Sequence, residues 1–318
     1  MVAVPPRGDD PPIPPAPPAG GKTGGRIAFS TLACPGMALA DAVALGRSSG
    51  YAGVELRLID GELIDPAMPA AERARVRRII DAAGLPVVAV DSSIRLTDDD
   101  PGPQLARFLE IASEWESPLV RVFGGALPDD HRDRRARLEA AAKVLEAAVP
   151  AAERLGVRIG VETHDAFSSS AVLAELLALV GSPAVGAVWD SHHPHRMGES
   201  PRDVWTNIGG RVLLAQVKDA RRDPAPEDSQ AAEAGPAGLR GLREDGWQLV
   251  LLGEGEVAVR DMLGLLSAGG YPGWISVEWE KRWHPEIEPP EVALPQHLAV
   301  LGSWMSGASE ISERQETA

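Results

Sequence analysis

Four short segments, far apart in the chain, each close a hydrophobic, strand-like run on a side chain able to bind a hard divalent cation. Residues 157–162 end on Glu162, 185–190 on Asp190, 212–216 on Gln216 and 274–278 on Glu278. Two Glu, one Asp and one Gln offer only oxygen, a set that suits Mn²⁺ or Mg²⁺ better than Zn²⁺, which favours nitrogen and sulfur. Carboxylates at the ends of buried strands are costly unless something pairs with them. A shared metal ion is the simplest partner for all four, and it makes the chain an enzyme candidate.

Side chains alternate along a strand, so residues two apart share a face. Glu162 therefore points with His164, Gln216 with Lys218, and Ser276 with Glu278 and Glu280. If the four ligands face inward, His164 and Lys218 sit one layer above them, facing substrate. The same alternation joins Glu55 to Arg57 and Arg121 to Phe123. Arg inside a barrel needs a partner, and a structural ion pair between Glu55 and a neighbouring Arg is one expectation. His193 follows Asp190 by three residues, close enough to reach the same site from the loop. His192 and His195 are expected at the loop surface.

The elements that must position these residues alternate along the chain. Strand-like runs are expected at 26–31, 52–58, 86–92, 119–123, 157–164, 185–190, 212–219 and 274–280. Their Val/Ile/Leu content with little polar alternation suits strands buried on both faces of a parallel sheet. Between them, apolar residues three or four apart predict helices near 37–49, 66–83, 103–116, 131–155, 168–180, 202–208, 256–268 and 290–305. Pro66 and Pro201 are placed to open helices, Ser168 to Ser170 to cap one, and Gly84, Gly156 and Gly181 to end them. Eight βα units of about thirty residues predict a closed (β/α)₈ TIM barrel. An open doubly wound sheet is disfavoured because no Gly-x-Gly-x-x-Gly follows the first strand.

Three domain-level segments follow. Residues 1–24, rich in Pro and Gly, read as a disordered leader; 25–306 as the barrel; 307–318 as a flexible polar tail. The irregular stretch 220–254 carries Pro224, Pro226 and Pro236, with a small extended arm expected at 246–252. It reads as a lid, a partner contact or surface decoration.

The net charge of −15 disfavours gripping nucleic-acid phosphates or an anionic membrane, and points to a small-molecule substrate. The single cysteine, Cys34, allows no intrachain disulfide and suits a reducing, cytoplasmic setting. No run of about 18 apolar residues predicts a membrane span.

As a set, Gly160-Val161-Glu162-Thr163-His164, Trp189-Asp190-Ser191-His192-His193-Pro194, Gln216-Val217-Lys218-Asp219, Gly253-Glu254-Gly255-Glu256 and Ser276-Val277-Glu278-Trp279-Glu280 resemble the sugar phosphate isomerase/epimerase family with its xylose-isomerase-like TIM barrel. Gly53-Val54-Glu55-Leu56-Arg57 resembles that family's second-strand motif, and the likeness spans roughly 26–305. The ketose 3-epimerases of the family carry His where this chain has Gln216, whereas hydroxypyruvate-isomerase-like members carry Gln. The resemblance implies a Mn²⁺ or Mg²⁺ enzyme, often dimeric, that isomerises or epimerises a sugar, keto acid or polyol-derived ketone through an ene-diolate. Glu162 and Glu278 would exchange the proton at carbon as well as bind metal; His193, Lys218 and Arg282 would orient substrate oxygens; Glu55 would support the ligands from behind. The same scaffold also implies dehydratases and C-glycoside-cleaving lyases. A non-catalytic sugar-binding partner subunit, or an endonuclease IV-type repair enzyme, are further alternatives, the last opposed by the charge and the oxygen-only ligands. Scattered Arg and Lys leave open whether the substrate is phosphorylated.

Overall fold

The computed structural model describes residues 26–223 and 246–316, with side chains as far as Ser306. The expected leader at 1–24 and the middle of the irregular stretch lie outside the described residues.

Eight parallel strands close on themselves: β1 Ile27–Ser30, β2 Gly53–Leu56, β3 Val87–Arg95, β4 Leu119–Phe123, β5 Arg158–Glu162, β6 Val185–Asp190, β7 Val212–Val217 and β8 Trp274–Val277. β1 pairs with both β2 and β8, so the sheet has no free edge and the open alternative is excluded. The sequence-expected runs are found, with β4 and β6 matched to the residue. Their Val- and Ile-rich composition is explained by burial on both faces, against helices outside and against one another within.

The helices are α1 Leu39–Ser49, α2 Ala70–Ala83, α3 Gly102–Glu114, α4 His131–Leu155, α5 Ser170–Val180, a short α6 His192–Arg196, α7 Pro201–Ile208, α8 Val259–Ala268 and α9 Pro290–Glu316. On α3, Leu105, Phe108, Leu109 and Ala112 recur at helical spacing and are buried against the sheet. Asp130 caps α4 by accepting from the Arg132 and Asp133 amides. Ser200 and Asp203 close a capping box over α7, with Pro201 in its first turn as expected. Gly84, Gly156 and Gly181 end their helices in the left-handed region, as expected.

Two start signals act differently. Pro66 precedes α2, which begins at Ala70 behind Pro69. No serine side chain caps α5; instead the Glu199 carboxylate accepts from the Ser170 amide at 3.1 Å. The acid does the same work from a neighbouring loop, and its charge complements the helix N-terminus. The α9 backbone continues to Glu316, through the segment read as a tail from Gly307.

A plug drawn from strands alone, with Ala28, Val88, Ala89, Leu119, Val188 and Leu214, packs separately from the main core. Val188 and Leu214 lie two residues before Asp190 and Gln216 on the same faces, so this plug floors the polar site. Past β7, Asp219–Arg222 pairs antiparallel with Trp247–Val250, forming the expected extended arm. No helix among the described residues is long and apolar enough to cross a membrane.

Candidate active site

Barrel geometry brings the sequence-expected residues together at the C-terminal ends of the strands. Asp190 on β6 and Gln216 on β7 are register partners, and Glu278 directly follows β8. The Gln216 amide donates to Glu55 Oε1 at 2.8 Å and to Glu278 Oε1 at 3.3 Å. Lys218 Nζ lies 2.6 Å from Glu278 Oε2 and 3.4 Å from Asp190 Oδ2, and also bonds Glu280. His193 Nε2 is 3.4 Å from that ammonium and 3.8 Å from both Glu162 Oε1 and Asp190 Oδ1. All four expected ligands thus belong to one buried network, with the Lys218 ammonium at its centre.

Burial dominates the electrostatics. It pushes Glu162 up to about 8, although Arg121 opposes, and Asp190 up to about 7, although Lys218 opposes. Burial, reinforced by the charges of Asp91 and Glu278, also holds Glu55 well above the usual carboxylate range. Burial and then Lys218 hold His193 neutral, far below the usual imidazole value. For His164 burial lowers the value, but the Asp165 hydrogen bond and the Glu162 charge outweigh it and raise it.

Several placements differ from the expectations. Glu55 pairs with Gln216 rather than with an Arg. Arg121 instead takes the acids: its Nε is 2.9 Å from Glu162 Oε2 and its Nη2 3.4 Å from Asp91 Oδ2. His192, expected at the surface, is fully buried because Trp247 of the arm lies 5.6 Å from its ring, while half-buried His195 touches the same indole. Arg282 stays at the rim, a third exposed, with Nη2 3.5 Å from Glu62. His164 is half-buried, with its ring centroid 4.5 Å from that of Phe123 at a tilt of 45°, and bonded to Asp165.

Asp91 and Glu280 join the site without having been singled out as site residues. Asp91 ends the apolar run 87–90, the signal that marked the other acids, and its register partner on β4 is Arg121. Just beyond the site, the Asp219 carboxylate accepts from the amides of Ala220, Gly253, Gly255 and Val257 at 2.9–3.1 Å. This explains the Gly253-Glu254-Gly255 motif: a Cβ on Gly255 would meet Asp219 Oδ1 at 2.1 Å.

The site can hold a cation. Gln216 Oε1 is buried with no hydrogen-bond partner among the described residues, as a ligand oxygen would be. Glu162, His164 and His193 present ligand atoms within 4.8 Å of one another, with the nitrogen donors that Zn²⁺ accepts, whereas the expected carboxylates Glu162, Asp190 and Glu278 do not close to that spacing among the described residues.

Residues 43–304 match the family model described as xylose isomerase-like TIM barrel. The chain belongs to this family. None of the curated proteins matches it. Among solved structures of the same fold, an L-ribulose 3-epimerase superposes with a TM-score of 0.68 at 15% identity, over 91% of this chain and 97% of that one. The probable 3-DHS dehydratase AsbF from Bacillus anthracis gives 0.65 at 16% identity, over 87% and 98%. An IOLI protein with a bound zinc atom gives 0.69 at 15%, over 89% and 99%. At such identities these likenesses concern the fold, a xylose isomerase-like TIM barrel.

Proposed function

We infer that this xylose isomerase-like barrel is a divalent-metal-dependent isomerase or epimerase of a sugar-like small molecule. The observation that supports this reading is a pair of buried carboxylates, Glu162 and Glu278, at two strand ends of one polar network, joined through His193 and Lys218. β5 and β8 are separated by two strands in an eight-strand ring, so the acids approach from well-separated directions. A pair on two faces of a planar intermediate can remove a proton from one side and return it from the other, which inverts a carbon; one alone suffices for isomerisation.

Their environments differ. Glu162 lies against Arg121, and burial raises its value to about 8 in the metal-free chain. Glu278 faces the Lys218 ammonium. Neutral His193, between Glu162 and Lys218, can donate to a substrate oxygen. Glu162, Asp190, Gln216 and Glu278 are the residues that would hold the metal, with Glu55 fixing the Gln216 amide. A bound divalent cation would supply the positive charge that polarises neighbouring carbonyl and hydroxyl oxygens.

The test is a screen of ketoses, aldoses, inososes, dehydroshikimate and small keto acids in D₂O, with Mn²⁺, Mg²⁺ or Zn²⁺ added and isomers read by NMR. Elimination of water starts from the same proton abstraction, so the screen separates a dehydratase from an isomerase. Glu278→Gln is expected to lower turnover by at least about a hundredfold while circular dichroism stays unchanged. Undiminished turnover in that variant would refute the proton transfer, and a chain with no solvent deuterium in any ligand would be a binding module.

A further inference from the structure

The part of the mouth beside the acids is built from cations. Phe123, at the end of β4, has the guanidinium carbon of Arg121 4.1 Å from its ring centroid, that of Arg57 at 5.8 Å and that of Arg95 at 6.0 Å. Register places it between Arg95 on β3 and Glu162 on β5, and the His164 ring lies tilted against it. The three arginines are not equivalent. Arg121 is spent on Glu162 and Asp91. Arg95 is half-exposed, with Asp165 3.5 Å from its Nε.

Arg57 is the unusual one. It is 6% exposed, yet no carboxylate lies within ion-pair distance of it among the described residues. Its hydrogen bonds, to Ser93 Oγ at 3.0 Å and the Asp91 carbonyl at 3.4 Å, both leave from Nη1 and both end on neutral oxygen. Nε and Nη2, the edge that makes bidentate contacts, remain for something else. The backbone cannot drift to relieve the charge, because Thr31 Oγ1 accepts from the amides of both Arg57 and Leu58. Burial and the like charge of Arg121 lower this guanidinium to about 10, while Asp91, Glu162 and Glu278 pull the other way. It is therefore a largely buried cation whose hydrogen bonds all end on neutral oxygens.

The geometry points to an oxyanion subsite formed by Arg57 and Arg95 around Phe123, so that the substrate of this barrel carries a carboxylate or phosphate. The subsite rests on the isomerase reading only for the identity of its occupant as substrate. The Phe123 face packs the carbon skeleton between the anion and the reacting centre. Neutral hexoses would leave that guanidinium edge without an anionic partner, and a site built for a charged group discriminates strongly against an analogue lacking it.

Isothermal titration of the full chain with inorganic phosphate and, separately, malonate reads the subsite without any turnover. Micromolar-to-millimolar binding of one of the two is expected, weakened about tenfold or more in Arg57→Gln and less in Arg95→Gln. Preference between the probes tells phosphate from carboxylate. Arg95→Gln, at a half-exposed position, keeps the test open should Arg57→Gln fold poorly. Deuterium exchange on matched D-fructose, D-fructose 6-phosphate and 5-keto-D-gluconate then follows. Anion binding lost with Arg57, but no exchange on any compound, would keep the subsite and discard the isomerase. Exchange on the neutral sugar alone, or binding of neither probe, or binding indifferent to both arginines, would overturn the subsite and leave the proton-transfer reading standing.

Discussion

Lys218 is the residue on which the charge balance of the site turns. Its ammonium lies among Asp190, Glu278 and Glu280, the position a bound cation would also favour. Without it, three buried acids face one another, and losing one partner of a buried ionic group costs about 3–5 kcal/mol. Lys218→Met is therefore expected to lower the Tm in EDTA by several degrees. The rise in Tm on adding Mn²⁺ should be larger in this variant than in the parent, because the metal takes over a duty the lysine shared. Equal melting of the two proteins in EDTA would show that the lysine is no counter-ion. That Lys218 shares a face with Gln216 was legible from alternation, and an acid after an apolar run announced each strand-end residue. What alternation does not encode is the partner across the barrel. Glu55 chose Gln216 three strands round the ring, and Arg121 chose Glu162 and Asp91 on the strands beside it, pairings fixed only when the sheet closes.

Asp219 shows the same limit at the level of an element. Its side chain ties the start of the arm to the turn at 253–257 through four backbone amides, a long-range loop closure made of hydrogen bonds alone. Burial still leaves its carboxyl raised above the usual value, despite those donors. Asp219→Asn halves the acceptor capacity and orphans amides, with an expected loss of about 2 kcal/mol. Gly255→Ala should cost at least as much, since its Cβ would also meet the Ala220 carbonyl at 2.5 Å. Limited proteolysis should cut both variants faster between β7 and α8; unchanged cleavage and Tm would mean that the turn is held by other contacts. The strands and helices themselves were readable because periodicity and capping are local: α4 and β4 fall on the expected residues. The α2 start was not, since Pro66 opens a turn of its own before Pro69. The burial of His192 depended on Trp247, more than fifty residues away in sequence and brought over it by the arm.

For the molecule as a whole, these buried groups set how stability responds to pH. A carboxyl whose folded value is raised keeps its proton in the native state after the unfolded chain has lost it. Its stabilisation is complete below the unfolded value, near ~4.3, and disappears as pH climbs to the folded value. Buried histidines act in the opposite sense: burial lowers His297 to about 4 and His192 to about 2, so their contribution grows with pH and is complete above about 6.5. Between pH 6.5 and 8 the lowered histidines no longer contribute to the change, which comes from Asp190 near 7, Glu162 near 8 and His164, whose raised value acts in the same sense as theirs. In EDTA the protein is expected to lose stability across this window, by about 2 kcal/mol for Glu162 alone. A divalent cation binds the ionised forms and should turn that fall into a rise. Urea melts at pH 6.5 and 8, with and without Mn²⁺, measure both slopes, and Glu162→Gln should flatten most of the metal-free one. A metal-free slope that is level or upward would mean that these carboxyls are already ionised in the folded chain. The raised folded value assigned to Glu162 would then have no basis.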